Sequence, residues 1–83
     1  MKKTFNINLG GIVFHIDEDA YELLDQYLSN LRIHFSKEEG AEEIVHDMEL
    51  RISELFSERL NERNQVITLS DVEEIISQMG KPE

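Results

Sequence analysis

The sequence predicts a small α+β domain, in which an N-terminal β-hairpin packs on two long antiparallel helices and a short third extended segment leads to a C-terminal helix. Three observations predict this class. Apolar side chains alternate with other side chains around Gly10-Gly11, which is the period of a β-strand. From Ala20 onward they recur at three- and four-residue steps, which is the period of a helix. The 83 residues are enough for one domain at most, so we expect residues 1–83 to form a single unit.

The stretch FNINLGGIVFHID, residues 5–17, indicates a hairpin with a two-residue turn. Glycine takes the positive φ angles that type I′ and II′ turns need, so Gly10 and Gly11 fit the turn and place Leu9 opposite Ile12. Because side chains alternate along a strand, this register puts six apolar residues on one face. We expect that face to be the floor of the core: Phe5, Ile7, Leu9, Ile12, Phe14 and Ile16.

Two amphipathic helices are predicted next. Asp17 is placed to cap the first helix, whose apolar stripe is Ala20, Leu23, Leu24, Tyr27, Leu28, Leu31 and Phe35. Ser36 and Glu39 have the spacing of a capping box before a second helix at about residues 41–63. Its predicted inner face is Ala41, Ile44, Val45, Met48, Ile52, Leu55, Phe56 and Leu60, whereas Leu50 is off this stripe and is expected to be more exposed.

The C-terminal part predicts one more helix. Ser70 and Glu73 have the spacing of a capping box at the start of a helix whose inner face is Val72, Ile75, Ile76 and Met79. Gly80 suits the position after the end of this helix. The β-prone run before it leaves two alternatives open, because residues 65–69 fit either a third strand or an extended connection. Since the chain stops soon after this helix, we expect it to be a piece of a longer, membrane-associated protein.

Composition limits the possible functions. Eighteen acidic residues against eight basic ones give a formal net charge of −10, which disfavours nucleic acid or an anionic membrane as a direct ligand. The chain has no cysteine, so disulfides and thiolate metal sites are excluded. The N-terminus lacks the apolar stretch of a signal peptide, and we expect a cytoplasmic domain.

No pattern of residues indicates chemistry. His15, His34 and His46 do not have metal-ligand spacing on any one element, and the serines lie in predicted helices or caps. Gly10-Gly11 is too short for a phosphate-binding loop. We therefore expect a protein that is not an enzyme, with no catalytic, cofactor-binding or metal-binding residues and no cofactor.

The outer face of the hairpin is the candidate interaction edge. It carries Asn6, Asn8, Val13 and His15, and no proline interrupts it. Unpaired strand edges of this kind bind other strands, so self-association or docking of a peptide is the leading hypothesis. An acidic folded spacer without a specific ligand is the alternative from another class, and a DNA-binding regulator is disfavoured by the charge.

Three stretches carry a family resemblance: the hairpin with FHIDEDAY, the helix with EEG, EEI, DME, RI and ELF in that order, and the ending with VEEIISQMGKPE. Together they cover nearly the whole chain. They are similar to the N-terminal cytoplasmic region that precedes the PspC (phage shock protein C) domain in bacterial envelope-stress proteins, which are often labelled stress-responsive transcriptional regulators.

The resemblance implies a role and a location. The role is that of a non-catalytic protein-interaction domain in an envelope-stress regulatory protein of the phage-shock type. The location is the cytoplasmic face of the inner membrane in the full-length protein, with membrane contact only through segments outside this chain. The resemblance supplies no catalytic residues.

Overall fold

The computed structural model describes residues 3–61 and 65–80. The elements follow in the order β1 (Thr4–Leu9), β2 (Ile12–Asp17), α1 (Glu18–Phe35), α2 (Ala41–Arg59), β3 (Val66–Ile67) and α3 (Leu69–Met79). In these residues a three-stranded sheet is combined with three helices, which confirms the predicted α+β class.

The hairpin has the predicted register. β1 and β2 are antiparallel, and the pairs run without a bulge from Leu9 opposite Ile12 to Thr4 opposite Asp17. Gly10 and Gly11 have φ angles of 59° and 88°. Positive φ at both central residues is the requirement of a type I′ turn, which matches the twist of the two strands.

The third strand is the parallel neighbour of β2. Val66 pairs with His15 and Ile67 pairs with Ile16, which gives the strand order β1-β2-β3. Parallel strands need a long crossover connection, and here α1 and α2 both lie within it. Of the two alternatives that the sequence left open for residues 65–69, the strand is the one observed, and it is only two residues long.

The helices cover only part of the apolar face of the hairpin. Leu9, Phe14 and Ile16 are buried, whereas Phe5 is 41% exposed and Ile12 is 46% exposed. The expectation that all six residues form the floor of the core was therefore wrong for two of them. They lie at opposite ends of the ribbon, so the middle of the face is covered and its corners remain open.

One continuous core holds the sheet and the helices together. The Phe14 and Phe56 rings meet edge to face with their centroids 5.4 Å apart, a favourable geometry for two aromatic rings. The other buried members come from every element: Leu9, Ile16, Ala20, Leu24, Tyr27, Leu28, Leu31, Ile52, Leu55, Ile67, Val72, Ile75 and Ile76.

Two helix boundaries differ from the prediction. Asp17 is the N-cap of α1 as expected, but its side chain makes no capping hydrogen bond. Ser36 ends α1 instead of starting α2, because its hydroxyl donates to the carbonyl oxygen of Ile33 at 2.8 Å. The N-cap of α2 is Gly40, at a φ of 77°, and α2 ends at Arg59 before an extended Leu60. The predicted end near residue 63 falls within residues 62–64, outside the described part of the chain.

The cap of α3 lies two residues before the predicted position. Thr68 is the N-cap, and its hydroxyl oxygen accepts a hydrogen bond from the backbone N–H of Asp71 at 3.3 Å. The Asp71 carboxylate in turn accepts from the backbone N–H of Thr68 at 3.0 Å. The capping box is therefore formed by Thr68 and Asp71, and the expected box of Ser70 and Glu73 is wrong.

Leu50 lies off the inner stripe of α2 and packs on the hairpin turn. It is half-buried, and a Cβ atom placed on Gly10 would lie 2.6 Å from its Cδ2 atom. Glycine is favoured at position 10 by its positive φ, and a larger residue there would also displace the end of the Leu50 side chain. The contact fastens the turn to α2.

A charge at a buried position of α1 should unfold the domain. Leu31 is 1% exposed, so Leu31→Asp would bury a carboxylate that has no partner. Domains of this length are stable by only about 4–12 kcal/mol, and we expect loss of the folded state at 25 °C by circular dichroism. Ile33→Asp, two residues along the same helix at a site 72% exposed, is the matched control and should remain folded. Equal urea midpoints for the two variants would contradict the core assignment.

The cap assignment can be tested at two neighbouring hydroxyls. Thr68→Ala removes the capping oxygen and should lower the free energy of unfolding by about 1 kcal/mol. Ser70 is exposed in the first turn of α3, and Ser70→Ala should change the stability by less than about 0.5 kcal/mol. Urea denaturation of both variants measures the difference, and a larger loss for Ser70→Ala would restore the box predicted from the sequence.

Candidate functional site: the open edge of the sheet

The candidate site is the outer side of β1. Among the described residues β1 pairs with β2 alone, so its opposite side has no neighbouring strand. The strand is six residues long and contains no proline, bulge or charged side chain. Natural sheet edges are usually blunted by one of these devices. The other outer strand, β3, has only two residues and is blunted by its shortness.

The register fixes which backbone groups are available on β1. The type I′ turn joins the carbonyl of Leu9 to the N–H of Ile12, and pairs along an antiparallel ribbon alternate between hydrogen-bonded and non-hydrogen-bonded. Phe5, Ile7 and Leu9 therefore direct their N–H and C=O groups toward β2. Those of Thr4, Asn6 and Asn8 face away from the sheet, and we call this set the open edge.

The four residues predicted for the interaction edge share one face but not one edge. Asn6 and Asn8 belong to the open edge, and they lie opposite His15 and Val13 of β2. His15 pairs with Val66 on its other side, so it lies inside the sheet and not at an edge, contrary to the expectation from the sequence. Val13 is 60% exposed at the end of β2 that β3 does not reach.

The asparagine side chains are used within the hairpin. Asn6 Oδ1 is 2.5 Å from Nδ1 of His15 across the two strands. Asn8 Oδ1 accepts a hydrogen bond from the backbone N–H of Gly11 at 3.1 Å, which braces the turn. These bonds fix the orientation of the side chains and leave the backbone groups of the open edge facing outward.

A shallow groove lies beside β1, between the strand and the helices. Its volume is about 250 Å³, and its apolar lining includes Ile7, Tyr21 and Leu28. Phe5 continues this lining, because its ring meets that of Tyr21 edge to face at a centroid distance of 5.2 Å. Small-molecule sites are usually larger, about 300–1,000 Å³, so the space suits a few side chains of an added strand. We call it the edge groove.

Charged groups stand on the helix side of the edge groove. Asp25, Arg32 and Glu49 line it, and Arg32 Nη2 is 3.2 Å from Oε1 of Glu49. This ion pair is partly exposed, so it contributes little to stability. Its effect is to neutralise one acid beside the groove in a strongly acidic protein.

Elsewhere, one ionisable side chain has a structural use. Burial raises the pKa of the Tyr27 hydroxyl above its ordinary value of 10.0. The hydroxyl donates to the carbonyl oxygen of Gly80 at 2.7 Å. This bond joins the middle of α1 to the end of α3, away from the open edge.

The histidines are distributed over separate elements. His15 lies on β2, His34 on α1 and His46 on α2. Within residues 3–61 and 65–80, no three His, Asp or Glu side chains are close enough together to hold a metal ion. None of the helices described for this chain is long and apolar enough to cross a membrane.

Comparison with known proteins identifies no relative. The chain matches no protein-family model, no curated protein and no solved structure.

Sequence reasoning missed three residues that α1 contributes to the edge groove. Tyr21, Asp25 and Arg32 recur at four- and seven-residue steps, and they share one side of α1 with Leu28, which belongs to the predicted stripe. That spacing was the available signal. It could not show that this side of α1 lies along β1 instead of facing another helix.

Amide hydrogen exchange should reveal the open edge directly. At micromolar protein concentration we expect slow exchange at Phe5, Ile7 and Leu9, whose N–H groups pair with β2, and fast exchange at Asn6 and Asn8. Residue-resolved NMR exchange measures this alternation. Uniform protection along β1 would show that its outer side is already paired.

Proposed function

We propose that this chain is a non-catalytic protein-interaction domain that binds an extended protein segment as an additional strand beside β1. The observation that carries the proposal is the combination of an open edge with a groove next to it. In strand addition the main-chain hydrogen bonds supply affinity, while pockets for alternate side chains supply specificity. The open edge supports the first requirement and the edge groove supports the second.

The distribution of charge supports the same site. Residues 4–16 contain no Asp, Glu, Lys or Arg in a chain that is 31% charged. A polar partner segment can therefore approach β1 without first displacing ion pairs. The acidic residues of α2 are exposed on its first turns, at Glu42, Glu43 and Asp47, where they repel other acidic surfaces.

Nucleic acid is not the proposed partner. Helix α3 would be the reading helix of a DNA-binding arrangement, yet Glu73 and Glu74 are exposed on it. Arg59 is already paired with Asp71 at 3.6 Å, and with Glu74. This surface would repel phosphates.

The cellular setting is part of the proposal. We propose that the domain belongs to an envelope-stress regulatory protein of the PspC type, on the cytoplasmic face of the inner membrane. In this proposal the hairpin packs on two long antiparallel helices, and this packing positions β1. The support is the sequence resemblance described above, together with an edge suited to a protein partner.

Proline at position 6 tests strand addition. Asn6→Pro removes one outward N–H, and proline is tolerated where the N–H of an edge strand faces solvent. Asn6→Ala is the matched control, because it loses the side-chain bond to His15 but keeps the N–H. Each immobilised variant is exposed to lysate of the source organism. We expect proteins retained by the wild type and by Asn6→Ala to be lost with Asn6→Pro.

A second measurement connects a retained protein to the edge. Once purified, it should slow amide exchange at Asn6 and Asn8 and leave α3 unchanged. Identical sets of retained proteins for all three variants, with each variant folded by circular dichroism, would contradict the proposal. The acidic spacer would then be the better account of this chain.

A further inference from the structure

We propose that the strand added to β1 is β1 of a second copy of this chain, paired antiparallel about a twofold axis at Asn6. The inference rests on the proposed strand addition and names its partner. Two hairpins joined in this way form one continuous sheet, with β1 strands at the centre and β3 strands at the two outer edges. The only long unprotected edge among the described residues is thereby removed.

The backbone groups of β1 fit this axis. Thr4, Asn6 and Asn8 all direct their N–H and C=O groups outward. With the axis at Asn6, residue 6 faces residue 6 of the second copy, and Thr4 faces Asn8 in both directions. Three hydrogen-bonded pairs result, with about six main-chain hydrogen bonds.

The side chains are compatible with the same register. The sequence Thr-Phe-Asn-Ile-Asn, residues 4–8, is polar, apolar, polar, apolar and polar about Asn6. Twofold pairing therefore places polar side chains opposite polar ones on the outer face. On the inner face Phe5 lies opposite Ile7 of the second copy, in non-hydrogen-bonded pairs where Cα atoms are only about 4.5 Å apart. Phe5, which is 41% exposed in one copy, gains an apolar neighbour.

Charge selects this surface for contact between copies. Two chains that each carry a formal charge of −10 repel one another. The approach is least unfavourable along residues 4–16, which have no charged side chain. Beside them, the edge groove holds one base and two acids: Arg32 is paired with Glu49, and Asp25 is the second acid. An acidic segment of another protein would bring charge to this surface, whereas a second copy brings the uncharged residues 4–16.

The interface is small, so the complex should be weak. It joins five residues from each copy, well below the size of a standard protein interface. We expect a dissociation constant on the order of 0.1 mM. The dimer should strengthen with added salt, because salt screens the repulsion between two acidic chains.

The first measurement is the mass of the purified chain against concentration by analytical ultracentrifugation. We expect the monomer mass of 9.7 kDa at about 1 μM. Toward about 1 mM the mean mass should approach twice that value. A chain that stays monomeric throughout would overturn the inference.

The second measurement tests the axis by exchange of charge. Position 6 faces itself across the axis, so Asn6→Lys places two like charges directly opposite each other, and so does Asn6→Asp. Each variant alone should dimerise roughly fivefold more weakly than the wild type at low salt. An equimolar mixture pairs lysine with aspartate and should recover dimerisation in the mixed species.

Gln78→Lys and Gln78→Glu are the matched controls, because Gln78 is exposed on α3 and these changes alter the net charge by the same amounts. Gln78→Lys should bind at least as well as wild type, since it reduces the overall repulsion. If the Asn6 variants follow the Gln78 variants, or if mixing restores nothing, the twofold pairing is refuted.

These outcomes are separable from those of the proposed function. A monomeric wild type whose captured proteins still depend on the N–H of Asn6 refutes the second copy and retains strand addition to a foreign segment. Captured proteins that Asn6→Pro retains as well as the wild type does refute strand addition by a segment of another protein. Restored dimerisation in the charge-exchange mixture supports self-pairing through β1.

Discussion

The parallel pairing of β3 with β2 is the constraint on which the rest of this structure depends. It is only two residue pairs long, yet Ile16 and Ile67 lie side by side in it and each is 0% exposed. Because parallel neighbours require a crossover, this contact makes α1 and α2 parts of the connection that returns the chain to the sheet. It also makes β2 the central strand, so that β1 is left on the outside with its full length available.

The open edge is held in place by residues that alternate with it. Leu9 is buried in the core and Ile7 packs against it, while Asn6 and Asn8 between and beside them face outward. Leu50 of α2 presses on the turn at Gly10, so the far end of β1 is anchored as well. Packing at Ile7, Leu9 and the turn holds this part of β1 in one backbone conformation, which lowers the entropic cost of pairing.

The hairpin could be predicted to the residue because its pattern is local. Alternation on both sides of Gly10-Gly11 allows only one register with a buried face. The parallel position of β3 could not be predicted, because two residues carry too little pattern. The N-cap of α3 could not be predicted either, since Thr68 with Asp71 and Ser70 with Glu73 both have capping-box spacing. The length of the preceding strand decides between them.

The site was predictable in part for the same reason. The outward direction of Asn6 and Asn8 follows from the hairpin, whereas the status of His15 depends on β3, which is distant in sequence. The edge groove depends on how α1 rotates above β1, and that rotation is set by packing with α2 and α3. Local periodicity indicates which residues share a helix side, but not the element that this side meets.

The long crossover also has a consequence for biosynthesis. The partner of Ile16 in the finished sheet, Ile67, is synthesised roughly 3–10 s later at a translation rate of about 5–20 residues per second. Throughout that interval the hairpin has neither its third strand nor its complete helical cover. Once it has left the ribosome, the hairpin is therefore an uncharged, β-prone ribbon that is exposed until the rest of the domain has folded onto it. Residues 4–16 contain no charged side chain, so until β3 and the helices close over the hairpin, no charge in the ribbon opposes its pairing with another strand.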